Sequence, residues 1–150
     1  MFTPDDHRHM AYALELAARG LYTTTPNPRV GCVIVKDGKV VGEGWHEKAG
    51  AAHAEPIALE HARKQAAGAT VYVTLEPCAH HGRTPPCVDA LLKAKPARVV
   101  AAMQDPNPRT AGKGFEQLRA AGITVDVGLM ETEARELNIG FVSRMTRGTP

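Results

Sequence analysis

One histidine and two cysteines that have to meet constrain this 150-residue chain more than any other feature. They stand in His53-Ala54-Glu55, in Pro77-Cys78 and at Cys87. Together they supply three ligands of the kind zinc takes, and three protein ligands leave the fourth coordination position open. Glu55 remains as a carboxylate beside the ligand histidine, able to move protons to and from a water held there. A fold for this sequence must bring the His53 segment to the two later thiols.

The local spacing says how. Residues i and i+2 share a side of extended backbone but not of a helix, so His53 and Glu55 serve one site only at or before a first helical turn. Pro56 agrees, since proline is tolerated there and biases Glu55 away from helix. The thiols must be thiolates to bind metal. Cys87, directly after Pro85-Pro86, is placed where a helix N-terminus lowers its pKa. A histidine alone is more often structural than a ligand, whereas His-x-Glu, then Pro-Cys, then Cys at a helix start is a specific combination.

Cys32 lies in the apolar run Val30-Gly31-Cys32-Val33-Ile34-Val35 and reads as a small core hydrophobe. As a fourth ligand it would close the site and make it structural. His7, His9 and His61 read as solvated helix positions. His80 and His81, between the two cysteines, suit substrate contact better than metal.

The balance of charge is only +2, so nothing calls for a nucleic acid or a membrane surface as partner. Three cysteines, an odd number, in a chain whose Met1-Phe2-Thr3-Pro4-Asp5-Asp6 start lacks a secretory pattern, argue against a disulfide framework. No apolar run approaches the ~18–20 residues that span a bilayer. The expectation is one domain over residues 1–150, located in the cytoplasm.

Periodicity places the elements. Met10, Ala13, Leu14 and Ala17 mark a first helix, capped by Thr3 with Pro4 behind it and closed by Gly20. Val30–Val35 and Val40–Trp45 read as strands joined by an Asp37-Gly38 hairpin turn. A helix over Glu55–Ala67, a strand over Thr70–Leu75, and a short helix from Pro86 to Lys93 follow. Then come a strand over Arg98–Met103, a helix over Gly114–Ala121, a strand over Ile123–Val127 and a helix over Glu131–Asn138. A hairpin followed by helix–strand alternation predicts an α/β fold, a mixed five-stranded sheet with helices on both faces.

Longer stretches carry a resemblance. They are Thr25-Pro26-Asn27-Pro28 with Val30-Gly31-Cys32, then Gly42-Glu43-Gly44-Trp45-His46, and then His53-Ala54-Glu55. Most specific is the segment Thr74-Leu75-Glu76-Pro77-Cys78-Ala79-His80-His81-Gly82-Arg83-Thr84-Pro85-Pro86-Cys87, and Asp105-Pro106-Asn107-Pro108 completes the set. Over essentially its whole length the chain resembles the diaminohydroxyphosphoribosylaminopyrimidine deaminase domain of bifunctional riboflavin-biosynthesis enzymes, within the cytidine deaminase superfamily. The resemblance implies a three-layer α-β-α sandwich, Zn2+ on His53, Cys78 and Cys87, and Glu55 as proton shuttle. It implies that Asn27, His46, Arg83, Asp105 and Asn107 contact a pyrimidine ribotide. It also implies a homo-oligomer and a reductase, as a following domain or a separate protein, acting on the product. Pro56-Ile57 departs from the Val-His expected after His-Ala-Glu, a difference that bears on local positioning and not on the metal. Two readings stay open beside it: a deaminase for another base (guanine, cytidine or a tRNA adenosine), and a non-catalytic zinc-stabilised binding module. The eight residues between Cys78 and Cys87 argue against the other bases.

Overall fold

The computed structural model describes residues 2–20, 29–47, 52–79, 86–108 and 110–138. Along them run α1 (Pro4–Ala18), β1 (Gly31–Lys36), β2 (Lys39–Trp45), α2 (Ala54–Ala62), β3 (Thr70–Val73), α3 (Cys87–Ala94), β4 (Arg98–Ala101), α4 (Lys113–Ala120), β5 (Thr124–Val127) and α5 (Glu131–Leu137). Asp37 and Gly38 both take positive φ, as a tight two-residue hairpin turn demands, and join β1 to β2. The described strands form one sheet in the order β2-β1-β3-β4-β5. β1 pairs antiparallel with both β2 and β3, while β3, β4 and β5 are parallel.

Alternation along the strands divides the core in two. Cys32, Ile34, Val71, Val73, Val99 and Val125 pack with α2, α3 and α4. Val33, Val35, Tyr72 and Val100 pack with α1 and α5 on the opposite face. The expected three-layer sandwich with a mixed five-stranded sheet is what the chain forms. No described helix is long and apolar enough to cross a membrane.

α2 lies unusually close to the hairpin because β2 presents glycine to it. A Cβ on Gly42 would stand 2.2 Å from the carbonyl oxygen of Ala58 and 2.9 Å from the Cβ of Ala62. Both obstacles belong to a packed helix and cannot swing aside. Gly42→Ala is therefore expected to destabilise the fold by roughly 2 kcal/mol or more, in the range of overpacked cores. Urea denaturation measures it, and an unchanged midpoint would mean that α2 floats on the sheet.

Several boundaries differ from the sequence reading. α2 ends at Ala62, where Arg63 takes φ 52 and a 3-10 turn (Arg63–Ala66) replaces the last helical turn. Pro56 does not keep Glu55 out of the helix; both sit in its first turn, where the proline lacks only an N–H that has no intrahelical partner. β3 ends at Val73 rather than Leu75. There Thr74 leaves the regular ladder, yet its N–H donates to the Gly31 carbonyl and its Oγ accepts from the Gly31 N–H, each at 3.1 Å. His9 is buried, not solvated, with its ring centroid 5.2 Å from that of Tyr72. The buried stripe of α1 runs through Asp6, His9, Met10, Ala13, Leu16 and Ala17, leaving Leu14 partly exposed.

Asp6 ties α1 to the sheet. Thr3 and Asp6 form a reciprocal capping box, each side chain accepting the other's backbone N–H at 3.0 Å. The same carboxylate accepts from the Tyr72 hydroxyl at 2.7 Å and from the Arg98 guanidinium at 3.0 and 3.3 Å. Arg98 in turn reaches Asp126 on β5 at 2.8 Å.

Candidate active site

β3 and β4 run parallel, so the segments that follow them leave the same edge of the sheet. Strand ends of that kind are where open α/β sheets collect their functional groups. Here the segment after β3 carries Cys78, and the loop after β4 carries Asp105 and Asn107.

His53 is the N-cap of α2, with extended backbone at φ −73 and ψ 170, and its side chain makes no capping bond. The ring is thereby left to face the thiols, with its Nδ1 3.1 Å from Cys87 Sγ and 3.9 Å from Cys78 Sγ. Glu55 follows in the first turn, buried. Cys87 opens α3, and its backbone N–H donates to Cys78 Sγ at 3.2 Å, while the Val88 N–H holds the Cys78 carbonyl at 3.1 Å. The three ligand atoms lie within 4.8 Å of one another. Tetrahedral zinc with nitrogen and sulfur ligands separates its donors by about 3.5–3.8 Å, so both donor chemistry and spacing fit zinc. Cys32 is fully buried in the core and stands outside the group, as its apolar surroundings imply.

The hydrogen bond between the two thiols acts on them in opposite directions. Cys78, not Cys87, is the thiol held low. The Cys87 side chain hydrogen-bonded to it is the main cause, joined by His53 and the Cys87 N–H, and its pKa comes down to about 4 despite burial. Cys87 is pushed up, chiefly by that same partner and by burial. The first N–H of α3 points at the neighbouring sulfur rather than at its own residue's. Glu55 is pushed up to about 7, mainly by burial and further by the Cys78 charge, with its own backbone N–H and His53 opposing. A carboxyl titrating near neutrality is suited to exchanging protons in both directions.

His46 is buried beside this cluster. Its ring stands edge-on to that of His53, with centroids 5.3 Å apart, and its Nδ1 lies 3.2 Å from the Ala52 carbonyl oxygen. Asp105 is partly buried, and its carboxylate organises its own loop, accepting from the Asn107 N–H at 2.9 Å and the Thr110 hydroxyl at 2.6 Å. Asn27, Arg83, His80 and His81 lie outside the described residues.

Sequence reasoning missed Glu76. It is buried, and its two carboxylate oxygens accept four backbone N–H groups, from Asp105 (2.9 Å), Gly112 (3.0 Å), Gly114 (2.9 Å) and Phe115 (3.4 Å). The signal available was an acidic residue among apolar neighbours immediately before Pro77-Cys78, but its partners are main-chain groups far along the chain.

Comparison with known proteins gives a family. Residues 3–103 match the cytidine and deoxycytidylate deaminase zinc-binding region. The chain is 63% identical over 145 residues to riboflavin biosynthesis protein RibD of Escherichia coli (strain K12), covering 97% of this chain and 40% of that protein. It is 50% identical over 145 residues to the diaminohydroxyphosphoribosylamino-pyrimidine deaminase of Buchnera aphidicola subsp. Schizaphis graminum, covering 97% of this chain and 99% of that one. Among solved structures, Acinetobacter baumannii RibD superposes with a TM-score of 0.96 at 58% identity, over 97% of this chain and 41% of that chain. The chain thus spans about two fifths of the length of the RibD proteins it matches and nearly all of the Buchnera deaminase.

Proposed function

Because the chain belongs to the cytidine and deoxycytidylate deaminase family, we propose that it removes the 2-amino group of 2,5-diamino-6-ribosylamino-4(3H)-pyrimidinone 5′-phosphate by hydrolysis. The products are 5-amino-6-ribosylaminouracil 5′-phosphate and ammonia, an early step of riboflavin biosynthesis. The observation that carries this reading is the His53, Cys78 and Cys87 cluster with buried Glu55 beside it. The substrate follows from the relative that shares half of its residues along nearly its full length.

His53 Nδ1 and the Sγ atoms of Cys78 and Cys87 would hold the zinc. When bound, zinc supplies a Lewis acid that makes water a competent nucleophile near neutral pH. Glu55 moves the protons. It takes one from the attacking water and delivers it to the ring nitrogen, then takes the second from the hydroxyl now on the ring carbon and delivers it to the departing amine. The water oxygen bonds to the ring carbon, the carbon–amine bond breaks, and ammonia leaves. His46, edge-on to His53, forms part of the wall against which the pyrimidine lies. Asp105 and Asn107 contribute from the loop after β4, and Asn27 and Arg83 complete the set that grips the ring and ribose phosphate. The product passes to a reductase, either a further domain or a separate protein, in the cytoplasm.

The test is ammonia release by the zinc-loaded protein from the ribotide, beside guanine, cytidine and a tRNA adenosine substrate. Turnover of the ribotide, abolished by chelation and restored by zinc, is expected. Turnover of another base with the ribotide inert would overturn the substrate. Stoichiometric zinc with no ammonia from any of them would favour a binding module.

A further inference from the structure

The loop after β4 and the metal-ligand arm after β3 are separate pieces of chain, and one buried side chain joins them. Glu76 lies two residues before Cys78. Its own N–H donates to the Met103 carbonyl at 3.0 Å, which carries the pairing of β3 and β4 beyond the strands. Its Oε1 accepts the N–H groups of Asp105 and Gly112, and its Oε2 those of Gly114 and Phe115. The first N–H groups of a helix have no partners within it. In α4 the N-cap residue is Gly112, which has no side chain to offer. Glu76 supplies that cap from 38 residues earlier in the chain. Gly114 makes the approach possible: a Cβ there would stand 2.4 Å from the Pro77 carbonyl oxygen and 3.2 Å from Glu76 Oε2.

A plain helix cap would need one acceptor and would serve one helix. This carboxylate spans two elements, with one oxygen on the loop (Asp105 and Gly112) and the other on α4. Asp105 in turn uses its side chain to set Asn107 and Thr110. The chain of contacts therefore runs from Pro77-Cys78, through Glu76, to Asp105 and on to Asn107. The metal arm has fastenings of its own, the Val88 N–H on the Cys78 carbonyl and the Cys87 N–H on Cys78 Sγ. Loss of the carboxylate should therefore release the loop and leave the ligands in place.

We infer that Glu76 is a positioning residue, which sets the Asp105–Asn107 loop at a fixed distance from the metal arm and so holds the substrate-binding side of the site in register with the reacting side. The inference rests on the ribotide reading above for its kinetic consequence, but not for its structural one.

Glu76→Gln tests it. An amide keeps the shape, yet its NH2 group faces N–H donors whichever way it lies, so about half of the four bonds are lost. The expected result is one zinc per chain, a KM for the ribotide raised roughly tenfold or more, and kcat within about threefold. In the same variant, free of substrate, amide hydrogen exchange at Asp105, Gly112 and Gly114 should accelerate together, while exchange in β3 and β4 stays slow. Unchanged KM with unchanged exchange overturns the inference. So does loss of zinc or of kcat with KM intact, because Glu76 would then act on the metal side. If the variant does not fold, wild-type exchange decides: the inference requires those three amides to be protected as one unit, and independent or unprotected exchange overturns it. If the wild-type protein leaves the ribotide untouched but Glu76→Gln still frees the three amides, the substrate reading falls and the clamp stands.

Discussion

Glu55→Gln is expected to lower kcat by about 10²–10⁴-fold while the protein keeps one zinc per chain and melts no lower than its parent. The amide fills the same space but can neither accept the proton of the attacking water nor return it. The amide can keep the hydrogen bond that Glu55 shares with the Cys87 thiol, and the contacts among His53, Cys78 and Cys87 do not run through this side chain. Stability should not fall, because burial is what raises the Glu55 carboxyl to about 7. A carboxyl whose pKa is higher folded than unfolded stabilises the fold fully below its ordinary value of 4.5 and loses that contribution as pH rises through about 7. In the metal-free protein the variant should therefore gain on the parent as pH rises from about 4.5 to about 7, and keep that gain unchanged above it. Ammonia release, metal analysis and thermal melts at two pH values measure all three. Near-normal turnover would remove Glu55 from the chemistry.

The second large effect lies far from the site. Asp6→Asn is expected to cost roughly 2–4 kcal/mol, somewhat under the 3–5 of a fully buried broken pair because Arg98 stays partly exposed. The Arg98 side chain is 25% exposed and that of Asp6 is 5% exposed. An asparagine there cannot accept from Thr3, Tyr72 and both guanidinium nitrogens at once. The pH dependence has a definite sign. Burial alone would raise the Asp6 carboxyl, but the hydrogen bonds from Arg98, the Thr3 N–H and Tyr72 outweigh it and hold the group well below its ordinary 3.8. Its contribution is therefore complete above 3.8 and drains away as pH falls below that value. Urea denaturation of both proteins should show the full gap near neutral pH and a shrinking one in acid. Subtracting the two curves removes effects common to both, such as acid release of metal. A gap that stays constant with pH would mean that the interaction is not ionic.

Much of this molecule was readable along the chain. The hairpin at Asp37-Gly38, the Thr3 cap and the helix–strand alternation depend on neighbours a few residues apart, and they appear where periodicity puts them. The meeting of His53, Cys78 and Cys87 was readable for a different reason: few arrangements other than a metal centre need that histidine, that proline-flanked cysteine and a second thiol at a helix start. What failed concerned partners distant in sequence. His9 looked solvated because nothing local announces Tyr72. The helix start at Cys87 was visible, but that its N–H donates to the Cys78 sulfur was not.

Glycines show the same division. Gly42 and Gly44 could be seen as a motif, but only the packed α2 reveals that a side chain would strike the carbonyls of Ala58 and Ala54. By itself, then, the order of residues determined which elements form, which three residues could hold a metal ion and which carboxylate stands beside them, because these follow from spacing and side-chain chemistry. Tertiary structure alone decided how the two thiols meet, how Asp6 and Glu76 are satisfied and which loop joins the segment that carries Cys78. Those outcomes belong to buried polar groups, whose energies depend on which donors surround them, and only the folded chain assembles those donors.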